Sequence, residues 1–263
     1  VGNKIARLIG AKDDEVIAAD STSINLYKVL SAALSISQAD HPKKKIILSE
    51  RTNFPTDLYI AESLCKERGF TLKLVEAEEL QTALQQEVAL LMLTHVNYRT
   101  GAMFNMKAMT ALAHSVGALT VWDLAHSAGA VPVYLNDSQA DFAVGCGYKY
   151  LNGGPGAPAF VWVHPKHTDR YWQPLSGWWG HAAPFEFTPD YKPASGITRY
   201  QCGTQPILSL TALDTALDAF LEAEKLGGMQ ALRRKSLALT GLFMHLVQTQ
   251  LAGDGFDIAT PLE

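Results

Sequence analysis

Short apolar runs of strand length alternate with segments of helical periodicity, and this alternation constrains the fold more than any other feature. The runs are nearly continuous instead of alternating with polar residues, as in VALLMLTHV (88–96) and ALTVWD (118–123). Such strands are typical of parallel sheets that are covered by helices on both faces. We therefore predict an α/β fold with a mostly parallel sheet sandwiched by helices. Ligands of such sheets bind beyond the carboxyl ends of the strands.

The remaining elements follow from the same patterns. Further strands are predicted at EVIAAD, KKIILSE, FTLKLVE, DFAVGCG and APAFVWVH. Helices are predicted at KIARLIGA, SINLYKVLSAALSI, FPTDLYIAESLCKERG and NMKAMTALAHSVG, and two long ones from about residue 205 onward. In the third helix, Pro55 marks the first turn and Gly69 the end. Residues 172–200, rich in Trp, Pro and Gly, are predicted to be a long irregular segment.

Composition excludes several classes of function. The chain has 263 residues, 48% of them hydrophobic, and a net charge of −4, so that no basic surplus favours nucleic acid or a membrane surface. No apolar stretch approaches the roughly 20 residues of a membrane span. Cys65, Cys146 and Cys202 form no CxxC pair, which favours a reducing compartment over a disulfide or zinc framework. The HPKH stretch (164–167) is interpreted as a surface turn, and no metal site is predicted.

Polar residues gather where the predicted strands end. They are Asp20 to Ser23, Thr52 and Asn53, Thr94, Asn97 and Tyr98, Asp123 and His126, and Lys149. Because the carboxyl ends of parallel strands share one sheet edge, this pattern predicts a site there.

Each feature alone has a structural interpretation. The DSTS stretch is a plausible helix cap or a phosphate turn, Asp123 could pair with His126 for structural reasons, and Lys149 could reach solvent from a strand end. Neither a P-loop nor a GxGxxG fingerprint is present, which disfavours a nucleotide site. Together, Lys149, Asp123, an aromatic ring at Phe54 and the turn at residues 21–23 match a pyridoxal phosphate site. There a lysine binds the cofactor as a Schiff base and an aspartate pairs with its ring nitrogen.

The motifs FPTD, VNYRTG, DLAHSAGA, YKYLNGGPG and GWWGH, in this order, resemble those of bacterial kynureninases. These are fold-type I pyridoxal phosphate enzymes of the class V aminotransferase group. The likeness runs across nearly the whole chain, and YKYLNGGPG together with GWWGH is its most specific part. The Asp-x-x-His pattern followed by Lys is shared with cysteine desulfurases.

The resemblance implies a role for each matching residue. Lys149 would bind the cofactor and shuttle protons, with Asp123 on the ring nitrogen and Tyr148 assisting proton movement. Phe54 would stack on the cofactor ring. The other cofactor contacts that it implies are Thr22, Ser23, Asp57, Thr94, His126, Trp178 and Thr204, the last at a position where relatives often carry Asn.

The implied reaction is hydrolysis of the Cβ–Cγ bond of L-kynurenine or 3-hydroxykynurenine. Its products are L-alanine and anthranilate or 3-hydroxyanthranilate, in tryptophan degradation and NAD-related metabolism. The resemblance also implies a cytoplasmic homodimer with sites at the subunit interface, a large domain at residues 1–225, and a linking helix with the start of a small α+β domain at 226–263. The chain is expected to be a piece of a longer protein, whose carboxylate-binding arginine follows Glu263; Arg199 is a local substitute without specific support.

Three alternatives remain open at this point. A cysteine desulfurase or selenocysteine lyase would need a reactive thiol, for which Cys202 is the candidate. A truncated subunit could bind the cofactor without turnover. An NAD-type sheet protein is disfavoured by the missing glycine fingerprint.

Overall fold

The structure, a computed structural model, describes residues 1–259. Its seven strands form one sheet in the order β1-β7-β6-β5-β4-β2-β3. The strands are β1 (Val16–Ala18), β2 (Ile46–Glu50), β3 (Thr71–Val75), β4 (Val88–Thr94), β5 (Leu119–Asp123), β6 (Phe142–Gly145) and β7 (Phe160–Val163). The helices are α1 (Gly2–Leu8), α2 (Thr22–Asp40), α3 (Pro55–Arg68), α4 (Leu80–Ala83), α5 (Met106–Ser115), α6 (Pro165–Thr168), α7 (Ile207–Glu224) and α8 (Gly228–Gln250).

Strand direction brings six carboxyl ends to one edge of the sheet. Strands β6, β5, β4, β2 and β3 are parallel, whereas β7 is antiparallel to β6 and β1 is antiparallel to β7. Two reversals restore the original direction, so that β1 points the same way as the parallel strands. The segments that follow β1, β2, β3, β4, β5 and β6 therefore lie along a single edge, which confirms the predicted mostly parallel α/β sheet.

Both faces of the sheet are buried, which explains the continuous apolar runs. Val121 and Phe142 pack with α2 and α3 on one face, and their neighbours Trp122 and Ala143 pack with α1, α5 and α7 on the other. Alternate side chains point to opposite faces of a strand, so every position in these strands needs an apolar residue.

Local capping agrees with the predicted helix boundaries. Ser21 caps α2 and accepts a hydrogen bond from the Ile24 N–H. Helix α3 has Pro55 in its first turn and ends at Gly69, which adopts the left-handed conformation with φ 68°.

The HPKH stretch differs from its prediction as a surface turn. It forms α6, and His167 is 4% exposed because its Nε2 donates to Asp141, 2.9 Å away. Asp141 is fully buried and also accepts from His114 and Lys166. Burial alone would raise the pKa of Asp141, but these hydrogen bonds outweigh it and hold the pKa well below its usual range. The surface prediction agrees with Pro165 and Lys166, which are exposed, and is wrong for His167, whose partner Asp141 is distant in sequence.

Residues 172–200 contain only short 3-10 segments, at Trp178–Gly180, Pro184–Glu186 and Gly196–Tyr200, in agreement with the irregular prediction. Beyond residue 225, α8 has no buried residue. The predicted start of a small domain remains a prediction, and its last positions, 260–263, lie outside the described residues. Within residues 1–259, no helix is long and apolar enough to cross a membrane.

Candidate active site

The Lys149 amine lies at the sheet edge, in the segment that follows β6. It is half-buried, and its Nζ is 2.9 Å from Nε2 of His126. The same nitrogen lies 5.8 Å from the centre of the Phe54 ring and 5.6 Å from that of Tyr148. The side chain is therefore directed toward an aromatic and imidazole surface, and it does not extend freely into solvent.

His126 accepts the hydrogen bond from this amine as a neutral imidazole. Burial lowers the pKa of His126, and the adjacent Lys149 charge lowers it further. The His126 Nδ1 then carries the proton, and it is buried without a hydrogen-bond partner among residues 1–259. The sequence interpretation in which His126 pairs with Asp123 is thus corrected, because the ring turns toward Lys149.

Two carboxyl groups, those of Asp123 and Asp57, face each other on the wall of the same cavity. Asp123 ends β5 and accepts the Ala125 N–H at 2.7 Å, and Asp57 lies in the first turn of α3. Burial raises the pKa of Asp57 well above its usual value, and the charge of Asp123 raises it further. Burial also raises the pKa of Asp123, but Ala125 and Lys149 oppose that effect. We assign the negative charge to Asp123 and the proton to Asp57.

The turn after β1 forms a further part of the cavity wall. Ser21, Thr22 and Ser23 line the cavity that also holds Lys149 and Asp123. They begin α2, a helix of 19 residues, so that its free N–H groups and the positive end of its dipole face this region.

Phe54 is held from two sides. The Tyr98 ring meets it edge to face with centroids 5.4 Å apart, and the Phe54 N–H donates to Asn53 Oδ1 at 2.6 Å. Thr94 also donates to Asn53 Oδ1, and Asn53 Nδ2 donates to Ser49 Oγ at 3.0 Å. Thr94 therefore acts on the loop that carries Phe54. The sequence placed Asn53 and Tyr98 among the polar residues at this edge, but it did not predict that they support Phe54.

The structure brings most of the predicted site residues together. The cavity is lined by Thr22, Ser23, Phe54, Asp57, Asp123, His126, Tyr148 and Lys149, together with Ser21 and Ala125. Thr94 lies beside Asp123 in the strand register without lining the cavity. Trp178 and Thr204 line a different cavity, with Val16 to Ala18 of β1.

Two further candidates are engaged elsewhere. Arg199 is buried, donates to the Ala194 carbonyl at 2.9 Å and forms an ion pair with Asp169, so its guanidinium is already bound. Cys202 is half-buried, and burial raises the pKa of its thiol although Lys28 opposes this shift.

Comparison with known proteins supports the motif resemblance. The sequence profile described as aminotransferase class-V matches residues 1–251. A kynureninase from Pseudomonas fluorescens is 55% identical over 266 residues, which cover 100% of this chain and 63% of that protein. A kynureninase from Burkholderia mallei (strain SAVP1) is 52% identical over 264 residues, which cover 99% of this chain and 62% of that protein. The chain thus spans less than two thirds of the length of these curated relatives.

Solved structures support the fold. An apo cysteine desulfurase from Thermococcus onnurineus NA1 superposes with a TM-score of 0.78 at 22% identity, covering 93% of this chain and 60% of that one. A C-DES mutant with glycine covalently linked to the PLP cofactor superposes with a TM-score of 0.77 at 17% identity. The superposition covers 94% of this chain and 65% of that one. At these identities the likeness concerns the fold alone. Since the family profile covers nearly the whole chain, the protein belongs to the aminotransferase class-V family.

Proposed function

We propose that this chain carries the cofactor site of a kynureninase, which hydrolyses the Cβ–Cγ bond of L-kynurenine or 3-hydroxykynurenine with pyridoxal phosphate. The observation that carries the proposal is the convergence of the Lys149 amine, the buried Asp123 carboxylate and the start of α2 in one cavity. Identities of 52–55% to kynureninases along the whole chain support the substrate class.

The residues present fit the cofactor. Asp57 Oδ2 and His126 Nδ1 are buried polar atoms without partners within residues 1–259, which indicates that a further polar group belongs here. Lys149 would bind the aldehyde carbon, and Asp123 would hold the protonated ring nitrogen. Phe54 would cover the ring face. The N–H groups of residues 21–23 would bind the phosphate. When bound, pyridoxal phosphate supplies an electron sink that stabilises negative charge on substrate carbon.

The chain's own groups can manage the protons of this reaction. Lys149, when free, is the base for the substrate Cα proton, and neutral His126 accepts a hydrogen bond from its Nζ. Burial raises the pKa of Tyr148, which keeps the hydroxyl protonated as a donor. The charge on Asp123 is maintained by the proton on Asp57 and the Ala125 N–H. Tyr148 and Asp57 are thus protonated, whereas Asp123 is ionised and His126 is neutral. Proton donors and acceptors therefore lie side by side, as acid–base chemistry requires.

The desulfurase alternative is less well supported. It requires a reactive thiolate, whereas burial raises the pKa of the Cys202 thiol. Cys202 Sγ also lies 3.8 Å from the Gln173 amide, and the Cys202 carbonyl accepts the Trp179 N–H. The raised pKa keeps the thiol largely protonated at neutral pH, although the Gln173 amide and Lys28 oppose that shift.

The test begins with cofactor binding by the full-length protein. We expect pyridoxal phosphate to produce a visible absorbance band and borohydride to fix a pyridoxyl adduct on Lys149, mapped by peptide mass. L-Kynurenine should then release fluorescent anthranilate, and cysteine should release no sulfide. Lys149→Gln should abolish the adduct, whereas Lys107→Gln, at a surface lysine that is 66% exposed, should not. Sulfide release without anthranilate would instead support the desulfurase alternative.

We further propose a cytoplasmic homodimer that completes its sites at the subunit interface. Large aromatic side chains near Trp178 are exposed, among them Phe185 at 70% and Phe187 at 79%, and such surfaces favour protein contacts. The three cysteines are free, in agreement with a reducing compartment. Light scattering should give twice the chain mass, and Phe187→Ser should shift the protein toward monomer; a full-length protein that is monomeric at micromolar concentration would contradict the proposal.

A further inference from the structure

Lys28 is a completely buried lysine in the second turn of α2. Its side chain is 0% exposed, and its Nζ donates to Asp20 Oδ2 at 2.5 Å and to the Tyr200 carbonyl at 2.7 Å. Asn25 Oδ1 lies 3.4 Å away. Lysine is almost never buried unless it is paired, because desolvation of its ammonium group is unfavourable. Lys28 can therefore be buried only because these partners bind its ammonium group.

The first partner, Asp20, immediately precedes the turn that lines the cavity. Its backbone has φ 48°, in the left-handed region that disfavours residues other than glycine. Its carbonyl accepts the Ala159 N–H at 2.9 Å, and the neighbouring Ala19 carbonyl accepts Asn25 Nδ2 at 2.8 Å. The strained turn is thus tied to β7 on one side and to α2 on the other, with the Lys28 ion pair as the charged connection.

The second partner, Tyr200, begins the segment that leads to Thr204. In that segment the Cys202 carbonyl accepts the Trp179 N–H at 3.0 Å. Gly177 packs directly on it, since a Cβ at Gly177 would lie 2.3 Å from the Cys202 oxygen. Lys28 therefore joins the turn at residues 20–23 to the segment that supports Trp178 and Thr204.

We propose that Lys28 is a positioning residue for the cofactor phosphate, an inference that rests on the cofactor part of the proposed function. Its ammonium group neutralises Asp20, whose side chain is 27% exposed beside the turn at residues 21–23. Asp20 precedes the residues that line the cavity, so without that cation its uncompensated charge would repel a phosphate bound at this turn. The turn would also lose its connection to Tyr200, and its N–H groups would be less well oriented.

The phosphate can be separated from the rest of the cofactor by comparing two probes. Pyridoxal phosphate and pyridoxal share the aldehyde and the ring, and they differ in the phosphate alone. Lys28→Met should weaken pyridoxal phosphate binding to the full-length apo protein by at least about tenfold and leave pyridoxal binding nearly unchanged. The ratio of the two dissociation constants, measured by absorbance titration, is the readout, and a general loss of stability would not change it.

Lys44→Met is the matched control. Lys44 is 7% exposed, and its Nζ donates to the carbonyls of Gln86 at 2.6 Å and Val116 at 2.5 Å. It precedes β2, at the end of the sheet opposite the candidate site. Loss of this buried lysine should destabilise the protein and leave the ratio at the wild-type value.

Two other variants keep the test decisive. Lys28→Gln retains a donor for the Tyr200 carbonyl but removes the charge, so it should give a ratio between those of wild type and Lys28→Met. If Lys28→Met does not fold, Lys28→Gln provides the test. Adding Asp20→Asn to Lys28→Met removes the repelling carboxylate and should recover part of the affinity for pyridoxal phosphate. A wild-type ratio in Lys28→Met or Lys28→Gln would overturn the inference alone. A wild-type protein that binds neither probe would overturn the proposed function, and the inference with it.

Discussion

Lys149 Nζ is 2.9 Å from Nε2 of His126, whereas Asp123, the alternative partner that the sequence offered for that histidine, accepts the Ala125 N–H. The imidazole is neutral because burial and the lysine charge lower its pKa. It therefore orients the amine without competing for its proton at neutral pH. Because His126 binds Lys149, the Asp123 carboxylate remains available to pair with another group in the cavity.

Replacing His126 tests that orientation. His126→Phe keeps a flat ring and removes the acceptor, so Lys149 loses its hydrogen bond. We expect kcat to fall by about ten- to a hundredfold while the pyridoxyl adduct on Lys149 still forms. Steady-state anthranilate release and peptide mapping check the two parts. Unchanged kcat in His126→Phe would argue against an orienting role.

The pair of carboxyl groups gives a second prediction. Asp57→Asn keeps a donor toward Asp123 and should affect cofactor affinity only slightly. Asp57→Ala leaves Asp123 buried with one donor fewer, which costs about 1–3 kcal/mol and should weaken cofactor binding about tenfold or more. Absorbance titration of both variants provides the measurement. Equal losses in the two variants would contradict the assignment of the proton to Asp57.

Backbone clearance beside Lys149 can be tested at Gly129. This residue has φ 84°, and an added Cβ would lie 2.5 Å from the Tyr150 carbonyl oxygen. Gly129→Ala should displace the segment that carries Lys149 and lower kcat at least about tenfold. Gly101→Ala is the control, because its φ of 73° is similar but nothing lies within 4 Å of the added Cβ. If both variants lose the same activity, backbone strain and not the clash is responsible.

His95 predicts a pH dependence of stability. Burial lowers its pKa from 6.5 to about 4, so the native state resists protonation while the unfolded state takes up a proton near pH 6.5. The free energy of unfolding should therefore fall as pH decreases from 6.5 to 4, by about 3 kcal/mol from this residue. Urea unfolding at pH 7 and pH 4.5 measures the loss. His95→Phe, which packs against Trp122 without a titrating group, should reduce it.

Asp141 should be a structural residue without a role in turnover. Removing one partner of a buried charged network costs about 3–5 kcal/mol, so Asp141→Ala should strongly lower the free energy of unfolding, with kcat per folded molecule unchanged. Asp137→Ala, which breaks the exposed ion pair with Lys107, is the control and should unfold close to wild type. A stable Asp141→Ala protein would contradict the role given to this network.

Much of the fold could be predicted because strand burial on both faces leaves a direct pattern in the sequence. The seven strands predicted between residues 15 and 164 are all present, and the boundaries of α3 follow from Pro55 and Gly69. Strand direction was not predicted in the same detail: nothing local in APAFVWVH indicates that β7 runs antiparallel, since that depends on its partners β6 and β1.

The candidate site was predictable to the extent that its residues follow strands. Asp123 and Lys149 lie where the sheet edge places them, and their roles remain predictions. The partner of His126 could not be predicted, because the choice between Asp123 and Lys149 depends on ring orientation. His167 and Asp141 meet through tertiary contact, and no local pattern marks such a pair. Trp178 lies in the irregular segment 172–200 and Thr204 in the connection that leads to α7, and no periodicity specifies the path of either.

The antiparallel strand β7 also has a consequence for the order of folding during synthesis. The edge strand β1 is hydrogen-bonded in the sheet through β7, whose residues Phe160–Val163 follow far later in the chain. At roughly 5–20 residues per second, the ribosome needs several seconds or more to deliver that partner. Until then β1, which precedes Ser21, has no neighbouring strand. A nascent chain can therefore assemble β2 to β6 with α2 packed on them, whereas β1, which leads into the turn at residues 21–23, gains its strand partner only when β7 emerges.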